Sequence, residues 1–386
     1  MRYILLLFVF LISYGSLYPF YFSGDLLPAS EFFSWLVNLS YRTTKADIVA
    51  NILLFMPFGF VAILTVSTSR NFIKNSALLF FAGVLLAYTL QYLQFYLPAR
   101  VPSAGDALYN SLGIIIGMIL SQIIKQYSQH HLPHEFSKPM NWSQITIPLM
   151  LALVWVAWRL FPFVPSFTTA SIISAVSPLM QQPDLNLGLI IRDTIGWLIF
   201  FHLLTQPPFD RLPRFRILKF IFYIFGLEIL IRGNLITVND LLAALCAFAF
   251  FTSLSAEQLN KGLTRALAVA IVLTLISPFV LADPYNSYLW LPFKGLMKGN
   301  PWANGEFLLL KIYLYGSFIF MLRQHWFDWF GATITVIALL LVISIVQVFI
   351  GEQNPEFTEP LLVGLIGWVL SQVEKTANDE RAMAID

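Results

Sequence analysis

The sequence predicts an all-α protein: a polytopic transmembrane helix bundle of about twelve spans, built as three parallel four-helix repeats with both termini cytoplasmic. Three observations lead there. Of 386 residues, 58% are hydrophobic and 11% charged, with a mean hydropathy of +0.73, whereas soluble domains carry about 25% charged residues. Apolar runs long enough to cross a bilayer recur along the whole chain. Finally, one spacing of polar residues at the ends of these runs occurs three times in the same order.

The apolar runs fall at roughly 3–22, 47–66, 76–97, 107–124, 144–164, 187–204, 216–234, 239–254, 264–282, 306–322, 330–350 and 358–374. The opening MRYILLLFVFLISYGSLYPF carries a basic residue and an apolar core but no clear small-x-small cleavage site after it, and it has counterparts later in the chain, so it reads as a retained first span rather than a signal peptide. Basic residues orient the rest. With the N-terminus inside, fourteen of the 23 lysines and arginines lie in cytoplasmic segments. Six (Arg42, Lys45, Arg100, Arg232, Lys294 and Lys298) lie outside, and Arg159, Arg192 and Lys311 fall within spans. Excess positive charge marks the cytoplasmic face, which makes the RVPSAGD loop at 100–106 external. The 36 Phe, 15 Tyr and 10 Trp suit aromatic belts at the two interfaces.

The same composition sets exclusions. A net charge of +2 without a basic run gives no reason to expect nucleic acid. The single cysteine, Cys246, allows no disulfide within the chain and no thiolate metal site. His130, His131 and His134 sit in a polar stretch and read as a solvated linker; His202 reads as a buried hydrogen-bonding group. No metal or cofactor is expected, and no Ser-x-x-Lys, Gly-x-Ser-x-Gly, His-Glu-x-x-His or Walker-type loop occurs.

The repeat rests on specific residues. Gln94 and Asp106, Glu228 and Asp240, and Gln347 and Glu359 are each 12 apart, before the fourth, eighth and twelfth spans. An earlier acid opens a span in each set: Asp47, Asp193 and Glu306. Upstream of that is a Pro-Phe at a span end: Pro19-Phe20, Pro162-Phe163 and Pro278-Phe279. Three matches in one order argue against coincidence. They divide the chain into repeats at 1–127, 143–258 and 262–375, with a polar linker at 128–142 and a polar tail at 376–386. An even number of spans per repeat makes the copies parallel, about an axis along the membrane normal.

Several polar residues have both a structural and a functional reading. Thr44-x-x-Asp47 and Ser103-x-x-Asp106 fit a capping box, and an acid there also complements the positive helix end by about 0.3–1 kcal/mol. Capping does not account for Asn51 and Asn110, one turn deeper on the same faces. They read either as interhelical hydrogen-bonding groups or as part of a polar pocket, because an unpaired amide in hydrocarbon costs several kcal/mol. Arg100 has three readings: a solvated loop cation, an ion-pair partner of Asp47 or Asp106, or a ligand for phosphate or carboxylate. In the second set Arg159, Arg192, Asp193, Glu228, Arg232 and Asp240 form either a self-neutralising network or a substrate path, with Glu228 and Arg232 spaced to pair. In the third, Lys311 is spaced for a loose pair with Glu306, Gln347 repeats the amide position, and Glu352, Glu356 and Glu359 read as a solvated acidic loop. Gly113 and Gly117, in GIIIG, present a small-xxx-small face for close helix packing.

At DIVANILLFMPFGF (47–60) and LQYLQFYLPARVPSAGDALYNSLGIIIG (90–117), the sequence resembles the VanZ-like family of bacterial membrane proteins. The shared pattern is Asp-x-x-x-Asn opening a span with a later Pro-x-Gly, Gln or Glu closing the next span, then Arg, a small hydroxyl residue and a second Asp-x-x-x-Asn. It covers about residues 1–127. The later sets resemble degenerate copies, with Trp197 and Ala244, then Leu310 and Val363, where the asparagines would stand. The resemblance implies a multi-pass protein of the bacterial inner membrane, linked through its namesake with teicoplanin resistance. It implies no reaction.

Three functions compete on these residues. The first is a non-enzymatic envelope protein whose outward polar cluster, Asp47, Asn51, Gln94, Arg100, Ser103, Asp106 and Asn110, binds membrane lipid, a lipid-linked envelope precursor or another anionic ligand. The second is a transporter or lipid translocase using the second set's charges. The third is a membrane enzyme with Asp47 and Asp106 as an acid/base pair, their pKa values split by proximity.

Overall fold

The computed structural model describes residues 2–18, 20–23, 35, 45–66, 71–98, 100–131, 147–181, 184–206, 213–276, 288–289, 292–295, 301–350 and 355–383. The described chain is all-α, apart from isolated bridges between Pro165 and Ile231 and between Leu289 and Glu356. Its helices are α1 (Arg2–Leu17), α2 (Lys45–Val66), α3 (Phe72–Leu93), α4 (Ala104–His131), α5 (Ile147–Arg159), α6 (Thr169–Val176), α7 (Leu187–Leu203), α8 (Arg214–Glu228), α9 (Val238–Ser253), α10 (Ala256–Ile276), α11 (Pro301–His325), α12 (Trp329–Gln347) and α13 (Thr358–Met383).

Each of the twelve apolar runs overlaps one of these helices, and α6 is an additional short one. Among the described residues, five stretches are long and apolar enough to cross a membrane: Asp47–Val66, Phe72–Tyr96, Ala104–Ile123, Ala303–His325 and Trp329–Gln347. They mark a membrane protein. Apolar helices in α1, α5, α9 and α10 are shorter. The helix α4 also runs further than expected. His130 and His131 lie in its last turn rather than in a loop, while His134 lies outside the described residues.

The chain divides into two compact units, residues 1–142 with 380–386, and residues 143–379. In the first, α2 and α4 touch backbone to backbone. A methyl group at Gly113 would lie 2.3 Å from the Ile52 carbonyl oxygen, at Gly117 2.0 Å from that of Met56, and at Gly59 2.1 Å from that of Ile114. The contact partners Ile52–Gly113 and Met56–Gly117 rise together in number, so the two helices run parallel. The small-residue face expected at GIIIG is therefore used, and its partner is α2. Ile12, Phe55, Phe58, Ala87, Leu90 and Ile114 form the core around this contact.

The second unit is built on aromatic packing. Trp155 lies against Trp197 and Tyr313, at ring separations of 5.5 and 4.8 Å, and the Tyr313 hydroxyl donates to the Gly196 carbonyl at 2.9 Å. Every residue of α7 from Asp193 to Leu203 is buried, as expected of a helix surrounded by others. Asn186 caps it by accepting the Leu189 N–H at 3.2 Å.

Two of the expected Pro-Phe turns have a shared backbone feature. Phe20 and Phe163 adopt φ of 66° and 62°. Pro278-Phe279 lies outside the described residues, but Phe293, which follows Pro292, has φ 61°. A bulky side chain in this region costs on the order of 1–3 kcal/mol, so surrounding structure must hold it. Phe163 is held where Ser166 N–H donates to Leu230 O and Arg232 N–H to Val164 O, both at 2.8 Å. Phe293 N–H donates to Thr358 Oγ1 at 2.7 Å.

The α2–α4 contact yields a prediction. Gly117→Ala places a methyl against carbonyl and amide backbone that cannot rotate away, and is expected to destabilise the protein by about 1–3 kcal/mol. Gly226→Ala, where nothing lies within 4 Å, is expected to cause no loss. Thermal unfolding in detergent, followed by tryptophan fluorescence, distinguishes the two.

Candidate functional site

The parallel packing of α2 and α4 brings their N-terminal ends to the same end of the first unit. Asp47 occupies the first turn of α2 and Asp106 that of α4. The partial positive charge of each helix end favours an acid there. Asn51 and Asn110 follow one turn deeper on the same faces. Exposure falls along this set: Asp47 is exposed, Asp106 and Asn51 are half-buried, and Asn110 is 3% exposed. The Asp47 carboxylate is close enough to act electrostatically on Asp106. The informative atoms are Asp106 Oδ1 and Asn110 Oδ1, both buried with no hydrogen-bond partner. A buried acceptor left unmatched costs about 1–3 kcal/mol, and more when charged.

The residues around these oxygens are arranged differently from expectation. Ser103 and Asp106 do not close a capping box, because the Ser103 N–H is donated to Gln91 Oε1 at 3.1 Å. Gln91 was not singled out from the sequence, although it lies one turn before Gln94 on an otherwise apolar helix. Thr44, the corresponding cap before Asp47, lies outside the described residues. Arg100 is hydrogen-bonded to neither acid and is not a freely solvated cation. Its Nη2 donates to Gly15 O at 2.9 Å and its Nε to Tyr18 O at 3.4 Å. It thus neutralises the carbonyl end of α1, a favourable place for a cation, and burial pulls its pKa below the ordinary value. Gln94 Nε2 donates to Ser16 O at 2.9 Å, tying the end of α3 to the same turn.

In the second unit the expected charge cluster is assembled with one exception. Arg159, at the end of α5, bonds Glu228 through Nε and again from Nη2 to Oε2 at 2.9 Å, and Asp240 from Nη1 at 2.9 Å. Asp240 also closes a capping box, accepting the Thr237 N–H at 2.9 Å while its own N–H donates to Thr237 Oγ1 at 3.3 Å. The Thr-x-x-Asp spacing at 237–240 would have revealed this box from the sequence. Arg192 Nε donates to Asp193 at 2.7 Å. Arg159, Arg192, Asp193, Glu228, Asp240 and Glu306 all line one cavity of about 320 Å³. Arg232 is the exception. It is exposed, and Glu228, its expected partner at one-turn spacing, is held by Arg159 instead. The rigid bidentate fork of an arginine fits two carboxylates at once, which explains why Arg159 takes both.

The third set also departs from the spacing argument. Lys311 pairs with Glu359 rather than Glu306, and Tyr315 donates to the same carboxylate. Glu359 is 5% exposed, so it is not part of a solvated acidic loop; Glu352 lies outside the described residues. Gln347 Nε2 donates to Leu275 O at 2.7 Å. His202 is buried as expected, yet its Nε2 has no hydrogen-bond partner.

One relation recurs. Gln94, Glu228 and Gln347 each bond to a residue in the last turn of an earlier helix: Ser16 of α1, Arg159 of α5 and Leu275 of α10. The acid twelve residues on is held by Arg159 at Asp240 and by Lys311 at Glu359. No lysine or arginine among the described residues is bonded to Asp106 Oδ1.

Two substitutions test the buried pairs. Lys311→Met leaves the buried Glu359 carboxylate without its cation and is expected to destabilise by on the order of 3–5 kcal/mol, whereas Glu228→Gln leaves Arg159 still paired with Asp240 and is expected to cost less, about 1–3 kcal/mol. Arg232→Ala is expected to stay within about 0.5 kcal/mol of the parent. Thermal melts of the three purified proteins check the ranking.

No curated protein and no solved structure matches the chain. The motif pairs Asp47/Asn51 on α2 and Asp106/Asn110 on α4 lie within a family match that covers most of α1 to α4. Residues 4–125 match the VanZ/LLP1 family.

Proposed function

We propose that the protein is a multi-pass component of the bacterial cytoplasmic membrane that binds a ligand, without catalysing a reaction, at the outward-facing end of α2 and α4. The observation that carries this reading is the pair of buried, unmatched acceptors, Asp106 Oδ1 and Asn110 Oδ1. They follow exposed Asp47 in a row that leads from the surface inward. Proteins retain such costly groups at working sites. Asp47, Asn51, Asp106 and Asn110 form the pocket in this reading; Gln94, Arg100 and Ser103 frame it through their bonds to α1 and α3.

In this account the chain crosses the membrane twelve times in three parallel sets, at 1–127, 143–258 and 262–375, with both termini inside. The recurrent bond from Gln94, Glu228 and Gln347 to an earlier helix end supports the repeat. The distribution of lysine and arginine supports the orientation. The ligand class is a membrane lipid or lipid-linked envelope precursor, in keeping with the VanZ/LLP1 match and that family's link with glycopeptide resistance. The charges around Arg159 satisfy one another, which supports a structural role for them over a transport path.

Native mass spectrometry of the full-length protein, purified from bacterial membranes, tests the binding reading. The protein is expected to carry a discrete bound species that Asn110→Leu loses. An adduct profile identical in the parent and in Asp106→Asn/Asn110→Leu contradicts it.

A further inference from the structure

We propose that the group recognised at Asp106 and Asn110 is a primary ammonium, not an anion. This rests on the binding reading above and assigns the chemistry of its ligand. The two unmatched atoms are both acceptors, Asp106 Oδ1 and Asn110 Oδ1. A carboxylate oxygen and an amide oxygen accept hydrogen bonds and donate none, so their partner must donate. Asp47 adds a second negative charge within electrostatic reach of Asp106, which repels an anion and attracts a cation. Arg100, the one cation within the motif, is committed to the carbonyls of Gly15 and Tyr18.

The second unit shows the same chemistry completed within the chain. The acids at the corresponding spacing, Asp240 and Glu359, are bonded by Arg159 and Lys311. Lys311 presents a primary ammonium to a buried carboxylate that opens a helix, with Tyr315 as a neighbour. An ammonium offers three N–H donors from a compact charge. In the proposed mode one goes to Asp106 and one to Asn110, which stand one turn apart on α4. A quaternary ammonium, which has no N–H, does not satisfy these oxygens. Asp106 and Asn110 occupy the first two turns of α4, so the amine of a phospholipid headgroup and a free amine in water both reach them in the proposed orientation.

The test uses the full-length protein in nanodiscs, with melting followed by tryptophan fluorescence. Discs of phosphatidylcholine are titrated with ethanolammonium chloride against equal concentrations of sodium chloride and of sodium glycerophosphate. A parallel series replaces part of the phosphatidylcholine with phosphatidylethanolamine or with phosphatidylglycerol. The expected result is an upward shift of several degrees with ethanolammonium, with phosphatidylethanolamine, or with both. A shift from the lipid alone identifies a headgroup, and a shift from the soluble amine alone identifies a free amine; either supports the proposal. The shift is expected to vanish in Asp106→Asn and in Asn110→Leu and to persist in Arg232→Ala. Asp106→Asn removes an unmatched charge but also its attraction to the start of α4, so its ligand-free melting temperature is expected to lie within a few degrees of the parent's. Asn110→Leu keeps the Asp106 charge and decides the matter if Asp106→Asn does not fold. An Asn110-dependent shift with glycerophosphate or phosphatidylglycerol instead overturns the ammonium assignment while leaving the pocket standing. An equal shift with sodium chloride, or none with either amine source, also overturns it.

Discussion

The backbone contact between α2 and α4 is the constraint on which the first unit depends. Gly113 and Gly117 let the Ile52 and Met56 carbonyls approach to distances that a side chain would forbid. Because the helices are parallel, this contact sets two positive helix ends side by side. That arrangement is unfavourable unless negative charge is placed at both ends, and Asp47 and Asp106 supply it. The same crossing turns one face of α4 inward, which is why Asn110 is buried one turn below a half-buried Asp106. The acids therefore follow from the packing, whereas the unmatched amide does not.

What separates the first set from the later two is the location of positive charge. Asp240 and Glu359 are satisfied by Arg159 and Lys311, and both regions are closed internally by hydrogen bonds to Thr237 and Tyr315. In the first set the arginine of the motif is drawn away to the end of α1. The helix α1 gains a cap, and Asp106 Oδ1 and Asn110 Oδ1 are left unmatched. A carboxylate and an amide left unmatched beside bonded Gln91, Gln94 and Arg100 are the kind of costly groups that the proposed binding site would account for.

The helices were legible because apolar runs of sufficient length have few alternatives in a chain this poor in charge. The use of Gly113 and Gly117 was legible for the same reason: a small-xxx-small face on an apolar helix needs a close partner. The acids and asparagines of the candidate site were singled out by their spacing, and the structure places both pairs on the packed helices α2 and α4. Bonding partners were not singled out, because spacing along one helix says nothing about bonds between helices. Glu228 is one turn from Arg232 yet meets Arg159, 69 residues away, and Lys311 meets Glu359, 48 residues away. The bonds of Arg100 to the end of α1 were not legible for a related reason: backbone carbonyls compete with carboxylates for a guanidinium, and a sequence does not display them. Gln91 and Thr237 were missed although each carried a local signal, an amide in an apolar helix and a Thr-x-x-Asp box.

The account stands or falls on what faces Asp106 Oδ1 and Asn110 Oδ1. An experimental map of the full-length protein in nanodiscs made from bacterial lipids answers this directly. The account predicts non-protein density within hydrogen-bonding distance, about 2.7–3.2 Å, of both oxygens. A guanidinium from Arg42 or the ammonium of Lys45 seated on those oxygens would contradict it, since the first set would then be closed by its own chain like the other two.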